Sequence, residues 1–102
     1  MHQLLKLLPP EKAHSMALWG LSQGFGPKQK EPTPTTLQTK LFGKILPNPV
    51  GLSAGADKEG VALQGWDNMG FGFVEMGTVT MYPRDGNPKP RVWRYGDDSI
   101  VN

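Results

Sequence analysis

Apolar positions fall into two unlike patterns along the chain, and each predicts a different kind of element. In the first 26 residues they crowd at helical spacing. Leu4, Leu5, Leu7 and Leu8 form a short helical turn that Pro9-Pro10 interrupts. Pro10 then suits the first position of a second helix running to about Gln23. In that helix Ala13, Met16, Ala17, Gly20 and Leu21 share one face, Leu18 and Trp19 widen it, and Gly24 to Pro27 end it. From Leu37 onward the runs are short and punctuated by Gly and Pro. Leu37 to Leu46 reads as weak strand with a turn at Gly43, and Pro47-Asn48-Pro49 closes it. Val50 to Ala54 reads as a strand. Lys58 to Met69 reads as a helix, with Val61, Ala62, Gly65, Trp66 and Met69 on one face and Gly70 as its stop. Phe73 to Val79 reads as a second strand.

Strand, helix and strand over about 30 residues make one βαβ unit with parallel strands and a right-handed crossover. A parallel sheet is covered on both faces, which two strands and one helix cannot accomplish. The fold class is therefore α/β, with 37–102 as the opening βαβ part of a larger architecture such as a (β/α)8 TIM barrel, completed by more of the same chain or by a second chain. The remaining divisions are a two-helix extension at 1–26 and a linker at 27–36. That linker, PKQKEPTPTT, is polar and Pro-rich, so it is expected to be extended and mobile.

Composition narrows the chemistry. The 102 residues contain no cysteine, which excludes disulfides, thiolate metal sites and cysteine nucleophiles, and the two histidines are too few for a histidine-rich metal site. No metal is expected. Eleven Lys and Arg against nine Asp and Glu leave a net charge of +2 without clustering, so no nucleic-acid partner is expected. No apolar run reaches the roughly 20 residues of a membrane-spanning helix. The Leu4–Leu8 run is too short for a cleavable signal.

Candidate chemistry concentrates where the two parallel strands end. Ligands of parallel sheets bind at the carboxyl ends of the strands. Ser53, Ala54 and Gly55 end the first strand, and Gly77, Thr78 and Val79 end the second. Small residues there either admit a flat ligand to the backbone or simply allow tight packing of strand and helix; the pattern leaves both open. Asp57 suits an N-cap. Lys58 would then stand in the first helical turn, against the positive end of the helix dipole, unless an anion lies close by. The Gly70–Gly72 pair lies between a helix and a strand, the wrong place for a dinucleotide fingerprint, so these glycines read as structural.

Three motifs in order, NPVGLSAGADKEG, MGFGFVEMGTVT and GNPKPRVWR, closely resemble the dihydroorotate dehydrogenases, flavoenzymes of pyrimidine (UMP) synthesis. The leader LPPEKAH, Leu8 to His14, is similar to the first-helix motif of the membrane-associated, quinone-using class 2 enzymes. The resemblance spans about Leu4 to Asn102, which corresponds to the first third or so of a family member. It implies FMN as cofactor, dihydroorotate and orotate as substrate and product, and a membrane quinone as electron acceptor. It further implies that the backbone at Ala54, Gly55, Ala56 and Asp57, the Lys58 side chain and Thr78 form part of the flavin bed. Lys58 would also meet the orotate carboxylate. Asn102 resembles the asparagine that opens the family's N-R-x-G-F segment and bonds both orotate and flavin. His14 and Arg94 resemble residues lining the quinone tunnel. From the residues alone, His14 could equally be a solvated helix residue and Arg94 a partner of Asp97 or Asp98.

No catalytic base falls within these residues. The class's serine base and flavin-phosphate site are expected downstream of Asn102, so by itself the 102-residue chain is expected to be inactive. One departure is Ala56, where the family usually carries a larger apolar residue. The implied location is peripheral, on the cytoplasmic face of a bacterial inner membrane or, alternatively, on the mitochondrial inner membrane. A rival expectation is a truncated, inactive chain serving as a small membrane-surface or interaction module through Leu4 to Leu21. That region carries only Lys6 and Lys12 as cations, few for such a role.

Overall fold

A computed structural model describes residues 2–97 and 99–102. Two short helices open the chain, α1 (His2–Leu5) and α2 (Pro10–Ser22). Pro10 takes the first helical position, where its missing N–H costs nothing. At the other end Gly24 adopts φ 85° and donates to the Leu21 carbonyl at 3.1 Å, while Phe25 donates to Gly20 at 2.9 Å. These are the paired bonds of a Schellman motif, which only a left-handed residue permits. The expected helix end is thus met within a residue.

A 3-10 turn at Thr35–Leu37 leads into β1 (Thr39–Leu41), which pairs antiparallel with β2 (Lys44–Leu46). The two residues between these strands, Phe42 and Gly43, have φ of 47° and 76°. Positive φ at both central positions is the requirement of the tightest hairpin turn, and phenylalanine is a poor choice for it. Phe42 is 94% exposed. Phe42→Asn is expected to stabilise the hairpin by about 0.5–1 kcal/mol, read as slower amide exchange across β1 and β2.

Strand β3 (Gly51–Leu52) pairs in parallel with β4 (Phe73–Val74), and α3 (Leu63–Asn68) lies between them in sequence. The βαβ expectation holds in topology. Its elements are shorter than expected: the first strand was read over Val50–Ala54, the helix over Lys58–Met69 and the second strand over Phe73–Val79. Gly72 N–H to Val50 O at 2.8 Å and Glu75 N–H to Leu52 O at 3.0 Å continue the ladder on either side. Gly70, with φ 95°, stops α3 as expected. On the expected helical face Ala62 and Gly65 are buried, Trp66 and Met69 are half-buried, and Val61 stays exposed.

The linker is tied down at one point. Gln29 donates its N–H to the Asn68 carbonyl at the end of α3, at 2.7 Å, and its side chain bonds Thr33.

Strands β5 (Trp93–Tyr95) and β6 (Ser99–Val101) form an antiparallel hairpin that the sequence reading did not anticipate. All six residues are exposed, so their pattern carries no alternation of buried and open positions.

Two compact units result, one of Met1–Ala17 with Thr80–Asn102 and one of Leu18–Val79. Both are thinly cored. Among the described residues Ala13 and Ala62 are the buried hydrophobics, with Asn48 and Asp57 as buried polar residues. Asn48 is fully used: its amide donates to Gly70 O at 2.9 Å and its oxygen accepts Val50 N–H at 3.0 Å, which sets the entry into β3. In the same unit Gly65 lies under Leu21, leaving no room for a side chain. No helix among the described residues is long and apolar enough to cross a membrane.

Candidate functional site

In the unit Leu18–Val79, the loops that follow β3 and β4 come together. Lys58 O accepts the Gly77 N–H at 3.0 Å, so the segment after the first parallel strand is stitched to the segment after the second. Small residues dominate both: Ala54, Gly55 and Ala56 on one side, Gly77 and Thr78 on the other. Gly55 has φ 95°, and a Cβ placed on it would meet open space. The constraint there is conformational rather than steric. Gly77, at φ 107°, is crowded instead, by the backbone of Val79. Among the described residues the backbone N–H groups of Ala54, Gly55 and Thr78 donate to no carbonyl. Free backbone donors flanked by small residues can bond the edge of a flat polar ring.

Asp57 and Lys58 differ from the expectation that made them an N-cap and a first-turn cation. Helix α3 begins at Leu63, with Ala62 as its cap residue. Lys58 stands outside the helix in the preceding turns, exposed, so the helix dipole exerts no first-turn penalty on it. Chain geometry explains the shift: Gly60, at φ 67° and in contact with Met76, breaks any helix that would run through 58–62.

Asp57 still accepts N–H groups at the entry to the helix, but from farther back. Its Oδ1 accepts Val61 N–H at 3.0 Å, and its Oδ2 accepts Ala62 N–H at 2.9 Å and the Trp66 indole N–H at 3.0 Å. The residue is 0% exposed. Burial pushes its carboxyl up, yet the donors from Ala62, Val61, Trp66 and Gly60 together outweigh burial and hold it below the ordinary value. Trp66 was read only as a face residue. Nine residues separate it from Asp57, a spacing with no helical or strand relation, so no local signal marks the pair. Trp66 also packs edge-on against Phe71, with ring centroids 6.1 Å apart.

In the other unit, Arg94 of β5 does not pair with Asp97. Its guanidinium donates to Leu8 O at 2.6 Å and Leu5 O at 3.0 Å, carbonyls at and just after the end of α1. Asp98, the other partner considered, lies outside the described residues. Arg91 holds Glu11 in the first turn of α2, its Nε and Nη2 both meeting Oε1 at 3.0 and 2.7 Å, while Nη1 reaches Asp85 O at 2.6 Å. The Arg91 hydrogen bond lowers the Glu11 carboxyl from its ordinary value. A groove of about 910 Å3 runs between α2 and 89–94; Pro9, Pro10, Met16, Pro90, Val92 and Trp93 make its apolar part, and the charged side chains of both segments, Arg94 among them, line the rest. His14 is exposed on α2 and does not line this groove, and Asn102 is exposed directly after β6.

The sequence profile of the dihydroorotate dehydrogenase family matches residues 36–102. The chain is 46% identical over 98 residues to the dihydroorotate dehydrogenase (quinone), mitochondrial, of Oryza sativa subsp. japonica, covering 96% of this chain and 21% of that one. It is 46% identical over 91 residues to the dihydroorotate dehydrogenase (quinone) of Parvibaculum lavamentivorans, covering 89% and 26%. The crystal structure of the Eimeria tenella dihydroorotate dehydrogenase with ferulenol superposes with a TM-score of 0.77 at 45% identity, over 83% of this chain and 23% of that one. The chain thus spans roughly a fifth to a quarter of the length of these relatives.

Proposed function

The chain belongs to the dihydroorotate dehydrogenase family, matching the N-terminal region of its quinone-dependent members, and from that premise we propose that it forms part of the flavin bed and the quinone entrance of an FMN-dependent enzyme oxidising dihydroorotate to orotate. The observation that carries this reading is the stitched pair of loops after β3 and β4, with open space over Gly55 and free backbone donors at Ala54, Gly55 and Thr78. These residues fit a flat, polar-edged ring: a side-chain carbon placed on Gly55 would meet nothing, and the donors at Ala54, Gly55 and Thr78 are used by no backbone carbonyl among the described residues. Bound FMN would supply a two-electron acceptor, chemistry that no side chain of this sequence offers.

Within this reading each residue has a limited task. Ala54, Gly55, Ala56 and Thr78 hold the ring edge through their backbone. Lys58 presents a cation to the substrate carboxylate and to negative charge developing on the ring. Asn102 hydrogen-bonds substrate. Residues 1–26 form the extension that meets the membrane surface, and 37–102 open a (β/α)8 barrel whose remaining strands cover the exposed faces of β3 and β4.

His14 and Arg94 belong to the quinone side. Half of the residues lining the groove that includes Arg94 are proline, methionine, valine and tryptophan, which suits an apolar ring and tail, and the other half are charged or polar, which suits the ring's carbonyl edge. His14→Ala, in the flavin-loaded enzyme carrying this sequence, is expected to leave reduction of the flavin by dihydroorotate unchanged and to slow its reoxidation by quinone. Stopped-flow absorbance of the two half-reactions tests the reading as a whole. Dihydroorotate failing to bleach the flavin would overturn the assignment of substrate, and a parent-like reoxidation rate in the variant would remove His14 from it.

A further inference from the structure

We propose that Asp57 is a positioning residue that acts through Lys58, with the Trp66 indole as its third anchor. The inference rests on the reading of Lys58 as the substrate-facing cation and adds how that cation is held.

Lys58 itself makes no side-chain bond that fixes it among the described residues. Its backbone is held on both sides. On one side the Asp57 carboxylate is pinned from Val61, Ala62 and Trp66, all at 2.9–3.0 Å. On the other the Lys58 carbonyl accepts Gly77 N–H. The preceding carbonyl, of Asp57, accepts Gly60 N–H at 3.2 Å and closes the turn. A long flexible side chain is expensive to order, so fixing its root lowers the cost of presenting its charge. Two of the anchors are backbone groups that any residue provides. The third, from Trp66, depends on the side chain at that position, and it is the one that substitution can remove without altering the backbone donors.

The wholly buried carboxylate also has no remaining face for a ligand. Asp57 therefore contributes to the bed by placement and not by contact. This refines the expectation that grouped it with the cofactor-touching residues.

The test uses orotate binding by equilibrium dialysis to the flavin-loaded enzyme carrying this sequence, with parent, Trp66→Phe, Lys58→Ala and the double variant. Phenylalanine keeps the edge-on packing against Phe71 and removes the N–H. Trp66→Phe is expected to weaken orotate binding about 5- to 10-fold. In the Lys58→Ala background the same change is expected to stay within twofold, because the path through the lysine is gone. Equal weakening in both backgrounds would overturn the proposal, as would a Trp66→Phe effect within twofold while Lys58→Ala weakens binding strongly. A silent Lys58→Ala overturns the underlying reading of the lysine and is seen separately. If Trp66→Phe does not fold, Trp66→His, which retains a ring N–H, takes its place and is expected to bind within about threefold of the parent. A loss as large as that of Lys58→Ala would sink the proposal. Independently of flavin, the Trp66 indole proton in the 102-residue chain is expected to shift as Asp57 titrates and to cease doing so in Asp57→Asn. An indole proton blind to that titration contradicts the anchor.

Discussion

Lys58→Ala is expected to weaken orotate binding by about 10- to 150-fold and to slow flavin reduction by a similar factor, while stability changes little. The magnitude follows from losing one charge-assisted hydrogen bond to a carboxylate, worth about 1.5–3 kcal/mol. Stability is spared because the side chain is exposed and makes no bond in the fold. The helix dipole has no part in this expectation, since α3 starts five residues later. Lys58→Arg is a useful companion: it keeps the charge but changes its reach and shape, so binding should recover only in part. Equilibrium dialysis and anaerobic stopped-flow give the two numbers. Values within twofold of the parent on both would leave Lys58 as an ordinary surface lysine.

The second large effect is on stability. Asp57→Ala removes the acceptor for Val61 N–H, Ala62 N–H and the Trp66 indole at once, and Ala62 is only 1% exposed, so water cannot readily replace it. Leaving a buried donor such as the Ala62 N–H unpaired costs about 1–3 kcal/mol, and with the part-buried Val61 and indole donors added the net loss should be about 3 kcal/mol. Local opening would then become about 150-fold more frequent, read as faster hydrogen exchange at Ala62 N–H and at the indole. Asp57→Asn is expected to fall short of full rescue, because an amide offers one acceptor where two oxygens now serve three donors.

The same carboxylate predicts an acid dependence whose sign is fixed. Its folded value lies below the ordinary 3.8, so the unfolded chain takes up the proton first on acidification. Its contribution is therefore complete above about pH 5 and is lost as the pH falls through the folded value. Exchange protection at Ala62 should decline below about pH 4 in the parent and show no such carboxylate-linked decline in Asp57→Asn.

Much of this was readable from residues in order. Pro10 and Gly24 marked both ends of α2, and Gly70 marked the end of α3, because each acts through its own backbone limits. The parallel pairing of β3 and β4 followed from strand, helix and strand in succession. The family likeness rested on motif order and spacing, which the matches to quinone-dependent relatives bear out. What local pattern could not supply was anything made by residues far apart. Periodicity began α3 at Lys58, since Val61 and Ala62 continue the helical face; the positive φ of Gly60 and its contact with Met76, sixteen residues away, decided otherwise. Arg94 had acidic residues beside it in sequence, yet its guanidinium went to carbonyls of Leu5 and Leu8, more than eighty residues distant. Trp66 carried no sign of its bond to Asp57, nor Asn48 of its hold on Gly70. Where the backbone must turn, and which family's motifs it carries, could be read from residue order because those are properties of single residues and short spacings. Tertiary structure alone decided which polar groups meet. A hydrogen bond needs both partners within about 3 Å, and for pairs this far apart only the folded chain brings them there.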